Sequence, residues 1–300
     1  MRAILEQLSQ ADIPFLEHEP LSRHTSFRIG GPVRALVLPR GEAELTRAAE
    51  ILRAAGKEPL VIGNGSNLLA VDGPIERVAI KTFDGVSDLR RLEGNAIYAA
   101  SGTLLARVAV FAREQGLAGV AFAHGIPGTL GGAVYMNAGA YGGEMAQVVR
   151  RVHYLDEQFV RRTVEGDDLD FSYRRSWFCD DPGLLILGAE LVLVPGDPAE
   201  IQMRMDELAA RRRAKQPLEF PSGGSTFKRP RDGYAAALID KAGLKGYVIG
   251  DAQVSEKHAG FVINRGGATC EDVLRLMEYI RETVLQRTGV LLEAEVKLVQ

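Results

Sequence analysis

The stretch HGIPGTLGGAVYMNAGAYGGE, His124 to Glu144, carries seven glycines and three alanines. So little bulk lets another backbone or a flat ligand come close. Thr129 offers a hydroxyl to a phosphate, and Asn137 offers an amide to a polar ring edge. The same composition suits a sharp internal corner in a sheet, and the residues alone do not choose. A second glycine stretch, VIGNGSNLL (Val61 to Leu69), follows a strand-like run. Its glycines permit a tight turn with backbone N–H groups turned inward, and Ser66 and Asn67 add polar contacts. Such a turn binds phosphate without a cationic side chain, though it also serves as a plain strand connector. Neither stretch is a dinucleotide fingerprint or a Walker loop, since GxGxxG opening a helix and GxxxxGK[ST] are both missing.

Outward from these loops, Glu42 to Ala55 carries Leu45, Ala48, Ala49 and Leu52 at helical spacing, with Gly56 as its stop. PLVIG, RVAIKTF and NAIYAASG read as strands, Thr103 to Gln115 as a helix, and VRRVHYL, QFVRRTV and LLILGAELVLV as further strands. Strands cluster with few helices and no regular βαβ alternation, which predicts an α+β fold. Pro195-Gly196-Asp197-Pro198 marks a break, so a domain boundary is expected near residue 196. A polar helix follows, about Ala199 to Lys215, whose Arg211, Arg212, Arg213 and Lys215 suit the negative end of a helix dipole. Gly233 to Ala242 reads as a short helix, and Thr269 with Asp272 forms a capping box for a helix to Arg287. In the terminal VLLEAEVKLV, Leu292, Ala294, Val296 and Leu298 alternate with Glu293, Glu295 and Lys297. That alternation predicts a half-buried strand with both glutamates on its exposed side.

The bulk properties exclude several classes. The chain has 300 residues, 46% of them apolar, enough for ordinary buried cores, and a formal charge of -3 that gives no field for nucleic acid or an anionic membrane. Cys179 and Cys270 lie far apart without a CxxC, so neither zinc, a redox pair nor a disulfide framework is expected, and a reducing cytoplasm fits. The N-terminus is too polar for a signal peptide, and no run of about 18 apolar residues is present. The five histidines show no metal-ligand spacing, and no GxSxG elbow occurs. Two stretches stay open. PSGGSTFKRP (Pro221 to Pro230) either cradles a phosphate or presents a serine. FSYRRSWF (Phe171 to Phe178) sets two arginines among aromatics, for carboxylate contact or as a solvated strand edge.

Taken in order, TSFRIGGP, VIGNGSNLL, HGIPGTLGGAVYMNAGAYGGE, FSYRRSWF, PSGGSTFKRP, GDAQVSEKHAGFVIN and LLEAEVKLV resemble the UDP-N-acetylenolpyruvoylglucosamine reductases over nearly the whole chain. The short stretch between Tyr173 and the serine loop resembles their compact second type. The resemblance implies a two-lobed FAD-binding domain of the vanillyl-alcohol-oxidase-like (PCMH-type) class over residues 1–195, with lobes of about 1–80 and 81–195. A C-terminal α/β substrate-binding domain then covers 196–300. It implies non-covalent FAD, NADPH as co-substrate, no metal, and reduction of UDP-N-acetylglucosamine enolpyruvate to UDP-N-acetylmuramate by a cytoplasmic monomer. Carried over by motif, Gly63, Asn64, Gly65, Ser66, Asn67 and Leu68, with Gly125, Ile126, Pro127, Gly128, Thr129, Gly132 and Asn137, would hold FAD. Arg174, Ser225 and Glu295 would be catalytic, with Ser225 protonating C2. Tyr141, Tyr173, Lys228, Arg229 and His258 would face substrate. Arg229 departs from the commoner K-N-P pattern, and His258 stands where other members carry glutamine. The alternatives are an FAD-dependent oxidase or dehydrogenase of the same superfamily acting on another substrate, and a non-catalytic flavin or nucleotide-sugar binder.

Overall fold

Apolar spacing and glycine stops set the helices. In a computed structural model, which describes every residue except Pro182 and Asp232, the helices are α1 (Arg2–Gln10), α2 (Glu42–Ala54), α3 (Leu105–Glu114), α4 (Leu130–Tyr135), α5 (Pro198–Lys215), α6 (Ala235–Lys241) and α7 (Cys270–Thr288). Packing divides the chain into two compact units. The first comprises Met1–Glu17, Ala35–Asn64 and Arg77–Ala210, and the second His18–Arg34, Gly65–Glu76 and Arg211–Gln300. Unit two therefore gathers two short early segments to the C-terminal third of the chain.

Unit one is organised by a five-stranded antiparallel sheet in the order Arg161–Glu165, Val149–Leu155, Leu185–Val192, Ala96–Ala100 and Leu89–Arg91. The strand Ala96–Ala100 explains why its sequence is apolar throughout. Ile97 and Ala99 enter one core with Leu105, Val108, Leu130 and Val134, while Tyr98 and Ala100 enter another with Leu45, Leu52 and Ile80. Successive side chains point to opposite faces, and both faces are covered. A four-stranded sheet in the order Phe15–Glu17, Val33–Val37, Ile75–Lys81, Leu60–Ile62 continues the fold, its first pair antiparallel and its last parallel.

In unit two, Val248–Ile249, Ala252–Val254 and Val262–Asn264 form a small antiparallel sheet. Val254 and Val262 share a core with Ile239 of α6, Val273, Leu276 and Ile280 of α7, and the early residues Phe27 and Leu69. The predicted capping box is present: the Thr269 hydroxyl accepts from the Asp272 N–H, and the Asp272 carboxylate accepts from the Thr269 N–H. The predicted terminal strand is corrected. Only Lys297–Val299 is strand, paired parallel with Leu68–Ala70. A bend at Val296 breaks the alternation, so Glu295 and Val296 are buried in succession while Leu298 is exposed. Glu295 is thus not the exposed companion of Glu293 that a continuous strand predicts.

Losing a side-chain cap costs about 1 kcal/mol. Thr269→Ala is expected to lower the stability of the protein by that amount, read as a lower urea midpoint with an unchanged slope.

Candidate active site

The two glycine loops meet inside unit one. Gly63 lies against Thr129: a Cβ at Gly63 would stand 2.2 Å from Thr129 Oγ1. The neighbouring Asn64 donates from Nδ2 to the Pro127 carbonyl at 2.6 Å, which ties the first loop to the second. The Gly125–Thr129 segment is anchored in turn, as Ile126 N–H donates to Ala123 and the Gly128 carbonyl accepts from Leu105 N–H. After Asn64 the chain enters unit two at Gly65, whose φ of +62° is left-handed. The N–H groups of Asn64, Gly65 and Ser66 donate to nothing among the described residues. Successive free N–H groups around a left-handed residue form an anion-binding nest. Leu68 already begins the strand Leu68–Ala70.

Asn137 requires a correction. It is fully buried, and its amide serves the protein: Nδ2 donates to the Ser172 carbonyl at 3.0 Å, and Oδ1 accepts from Ala146 N–H at 2.9 Å. It braces the loop from beneath instead of reaching a ring edge. The segment it holds, FSYRRSWF, is a tight turn and not a strand edge. Ser172 and Arg175 bridge across Tyr173 and Arg174, and Arg174 has φ +57°. Arg175 pairs with Asp170 and Asp180. Arg174 instead donates from Nη2 to the Gly139 carbonyl at 3.3 Å and sets its guanidinium 4.9 Å from the ring centroid of the exposed Tyr173. The two arginines therefore part roles: one staples the turn, the other stands at its tip. Tyr141 is a half-buried residue at φ +54° in the same unit.

Unit two holds the serine loop. Thr226 is buried and bonded three ways. Its N–H donates to the Gly260 carbonyl at 2.8 Å, its Oγ1 accepts from Val262 N–H at 2.9 Å, and its carbonyl accepts from Glu295 N–H at 2.9 Å. Ser225, one residue earlier, is exposed, and its hydroxyl has no hydrogen bond among the described residues. Gly224 precedes it at φ +80°, a conformation that only glycine takes without strain. One backbone bond thus ties the buried Glu295 to Thr226, the residue that follows Ser225. Asn67 strengthens this arrangement by donating from Nδ2 to the Glu295 carbonyl at 3.1 Å. Lys228 is paired with Glu293 through both its N–H and its ammonium, so Glu293 has a partner that the sequence did not reveal. Arg229 lays its guanidinium 4.3 Å from the Tyr234 ring centroid.

His258 stands behind the same loop, half-buried, with its ring edge-on to Phe261 at 5.0 Å. Its Nδ1 accepts from Gly260 N–H at 3.2 Å, so the neutral ring carries its proton on Nε2. Burial pushes its pKa below the ordinary 6.5, helped by Lys245 and Lys215.

Residues 33–158 match a family model described as an FAD binding domain, and residues 216–299 match the UDP-N-acetylenolpyruvoylglucosamine reductase C-terminal domain. A UDP-N-acetylenolpyruvoylglucosamine reductase of Agathobacter rectalis is 45% identical, with 100% of this chain and 98% of that protein aligned. The chain belongs to the UDP-N-acetylenolpyruvoylglucosamine reductase family. The reductase of Caldanaerobacter subterraneus subsp. tengcongensis is 47% identical over 94% of this chain and 92% of its own. The crystal structure of the Thermus caldophilus reductase superposes with a TM-score of 0.80 at 32% identity, covering 96% of this chain and 99% of that one. Family membership makes the protein an FAD-dependent oxidoreductase of peptidoglycan precursor synthesis with the α+β, vanillyl-alcohol-oxidase-like fold, and implies NADPH as co-substrate. No helix among the described residues is long and apolar enough to cross a membrane, and no group of three metal-ligating side chains is found among them.

The residues present fit FAD. The nest at Asn64–Ser66 supplies donors for a diphosphate. Beside the loop junction the hydroxyls of Ser101 and Thr129 are buried without hydrogen-bond partners, a cost that a bound polar group relieves. Gly63 leaves no room for a side chain. Overpacking of this kind costs about 1–3 kcal/mol. Gly63→Ala should therefore weaken FAD binding by roughly 10- to 100-fold, measured by flavin fluorescence titration of the FAD-depleted protein.

The histidine gives a pH prediction. A ring whose folded pKa lies below its unfolded value keeps its contribution to stability above about pH 6.5 and loses it as the pH falls through the folded pKa. His258 is expected to titrate below 6.5 by NMR. His258→Gln should remove the corresponding part of the acid-side loss of stability.

Proposed function

We propose that the protein reduces UDP-N-acetylglucosamine enolpyruvate to UDP-N-acetylmuramate at the expense of NADPH, with Arg174, Ser225 and Glu295 as its catalytic side chains. On this reading residues 1–195 would serve FAD in two lobes, about 1–80 and 81–195, and residues 196–300 the substrate, with His18–Arg34 and Gly65–Glu76 packed in the same unit as most of the substrate part. When bound, FAD supplies the hydride chemistry, taken up from NADPH and given to C3 of the enolpyruvyl group. Negative charge then develops at C2 and spreads into the neighbouring carboxylate.

The chain's own groups handle that charge. Arg174, held at the tip of its turn, pairs with the carboxylate through a fixed fork of donors. Ser225 delivers a proton to C2. A serine hydroxyl is a weak acid, so it serves only against a strongly basic carbon and only when firmly placed. Glu295 assists charge and proton handling. Lys228 and Arg229 favour the anionic diphosphate, with Tyr141, Tyr173 and His258 completing the substrate contacts. The observation that carries this reading is the exposed Ser225 hydroxyl, one residue before the Thr226 whose carbonyl bonds the buried Glu295.

The decisive experiment follows the flavin spectrum anaerobically. NADPH should bleach it and the enolpyruvyl substrate should restore it; a reduced enzyme that substrate fails to reoxidise would rule the reaction out. Ser225→Ala should leave reduction by NADPH near normal and slow reoxidation by roughly 10²- to 10⁴-fold. Equal slowing of both halves would make Ser225 structural. Glu295→Gln should lower kcat. Glu293→Gln, which removes the ion-pair partner of Lys228, should leave kcat near normal. The opposite pattern would mean that Glu293 is the working carboxylate.

A further inference from the structure

Ser26 sits at a junction within unit two. Its N–H donates to the Gly65 carbonyl at 3.1 Å, and its carbonyl accepts from Ser222 N–H at 3.1 Å. Its hydroxyl donates to the Ser222 carbonyl at 2.6 Å, while the Gly65 carbonyl, at 3.5 Å, is too far to compete for that proton. The next residue, Phe27, is fully buried beneath the serine loop, where a Cβ at Gly223 would stand 2.9 Å from its ring. The Phe27 carbonyl accepts from Asn264 Nδ2 at 3.0 Å, and Thr25 closes the turn by donating from Oγ1 to the Ile29 carbonyl at 3.0 Å. One rigid turn thus grips the glycine loop at Gly65 and the near foot of the serine loop at Ser222, while Thr226 pins the far foot.

We propose that Ser26 is a positioning residue for Ser225. The proposal rests on the reading of Ser225 as the proton donor. Between Ser222 and Thr226 the chain runs through Gly223 and Gly224, which leave the backbone free to wander unless both feet are held. The far foot has three hydrogen bonds. The near foot has the reciprocal pair with Ser26 and a bridge from Ser222 to Ile263. Proton transfer from so weak an acid is sensitive to displacements of the order of an ångström. The Ser26 hydroxyl is the one part of this junction that a substitution removes cleanly, since both backbone bonds survive in an alanine variant. Ser26→Ala therefore slackens the near foot without releasing Gly65.

The test uses the holoenzyme. Ser26→Ala should retain FAD and be reduced by NADPH within about twofold of the parent rate, while reoxidation by the enolpyruvyl substrate slows by roughly 10- to 100-fold. Amide hydrogen exchange should quicken over 222–225, a readout independent of turnover. Ser26→Thr, which keeps the hydroxyl, should restore both. In a Ser225→Ala background, Ser26→Ala should add no further slowing, because it acts through Ser225. Reoxidation at the parent rate in Ser26→Ala, beside a slow Ser225→Ala, overturns this proposal alone. Full additivity of the two substitutions, or unchanged exchange over 222–225, overturns it as well. A silent Ser225→Ala overturns the proton-donor reading and the proposal with it.

Discussion

Thr226 is the fixed point of unit two. A buried threonine with its N–H, hydroxyl and carbonyl all engaged has no freedom left, and its bonds lead to two distant stretches of chain, Gly260 and Val262 in one and Glu295 in the other. Leaving any of these groups unpaired in the interior would cost more than the bond itself is worth, so the arrangement is held by the penalty for breaking it. The residue before it is turned outward as a result, and the residue bonded to its carbonyl is drawn in. Exposure of Ser225 and burial of Glu295 are two effects of one constraint.

Unit one solves a parallel problem by subtraction. Gly63 and Thr129 touch because one of them lacks a side chain, and Asn64 fixes the contact by reaching the Pro127 carbonyl. Neither loop carries a lysine or an arginine. Directed N–H groups without a cation suit a diphosphate by shape more than by net charge. The cations sit elsewhere: Arg174 at a left-handed turn, and Lys228 already paired with Glu293.

The sequence made the elements legible where a period or a stop residue marks them. The helix Glu42–Ala54, the helix Leu105–Glu114 and the capped helix Cys270–Thr288 all lie where spacing, glycine and the Thr269–Asp272 pair predict. The two glycine loops and the serine loop were legible as motifs. Three things were not. The bend at Val296 is invisible to a period-two pattern, because alternation in sequence says nothing about where a strand stops pairing. The internal duty of Asn137 depends on Ser172 and Ala146, which lie on separate turns. Ser26 meets Ser222 from the far end of the chain, and no local signal carries that pairing. The site was readable in its residue types and hidden in its supports.

The segmented make-up of unit two has a consequence for how the protein comes into being. Phe27, Ile29 and Leu69 leave the ribosome early, yet the residues that cover them, among them Val262, Val273, Ile280 and Val296, are synthesised last. Most of unit one can assemble while translation proceeds. The early segments of unit two must wait as bare apolar chain until the final helix arrives, which is the condition under which nascent proteins engage chaperones or aggregate. A prematurely terminated chain would carry those uncovered side chains permanently and be marked for degradation. The late completion of this unit ties the appearance of the serine loop to a finished polypeptide.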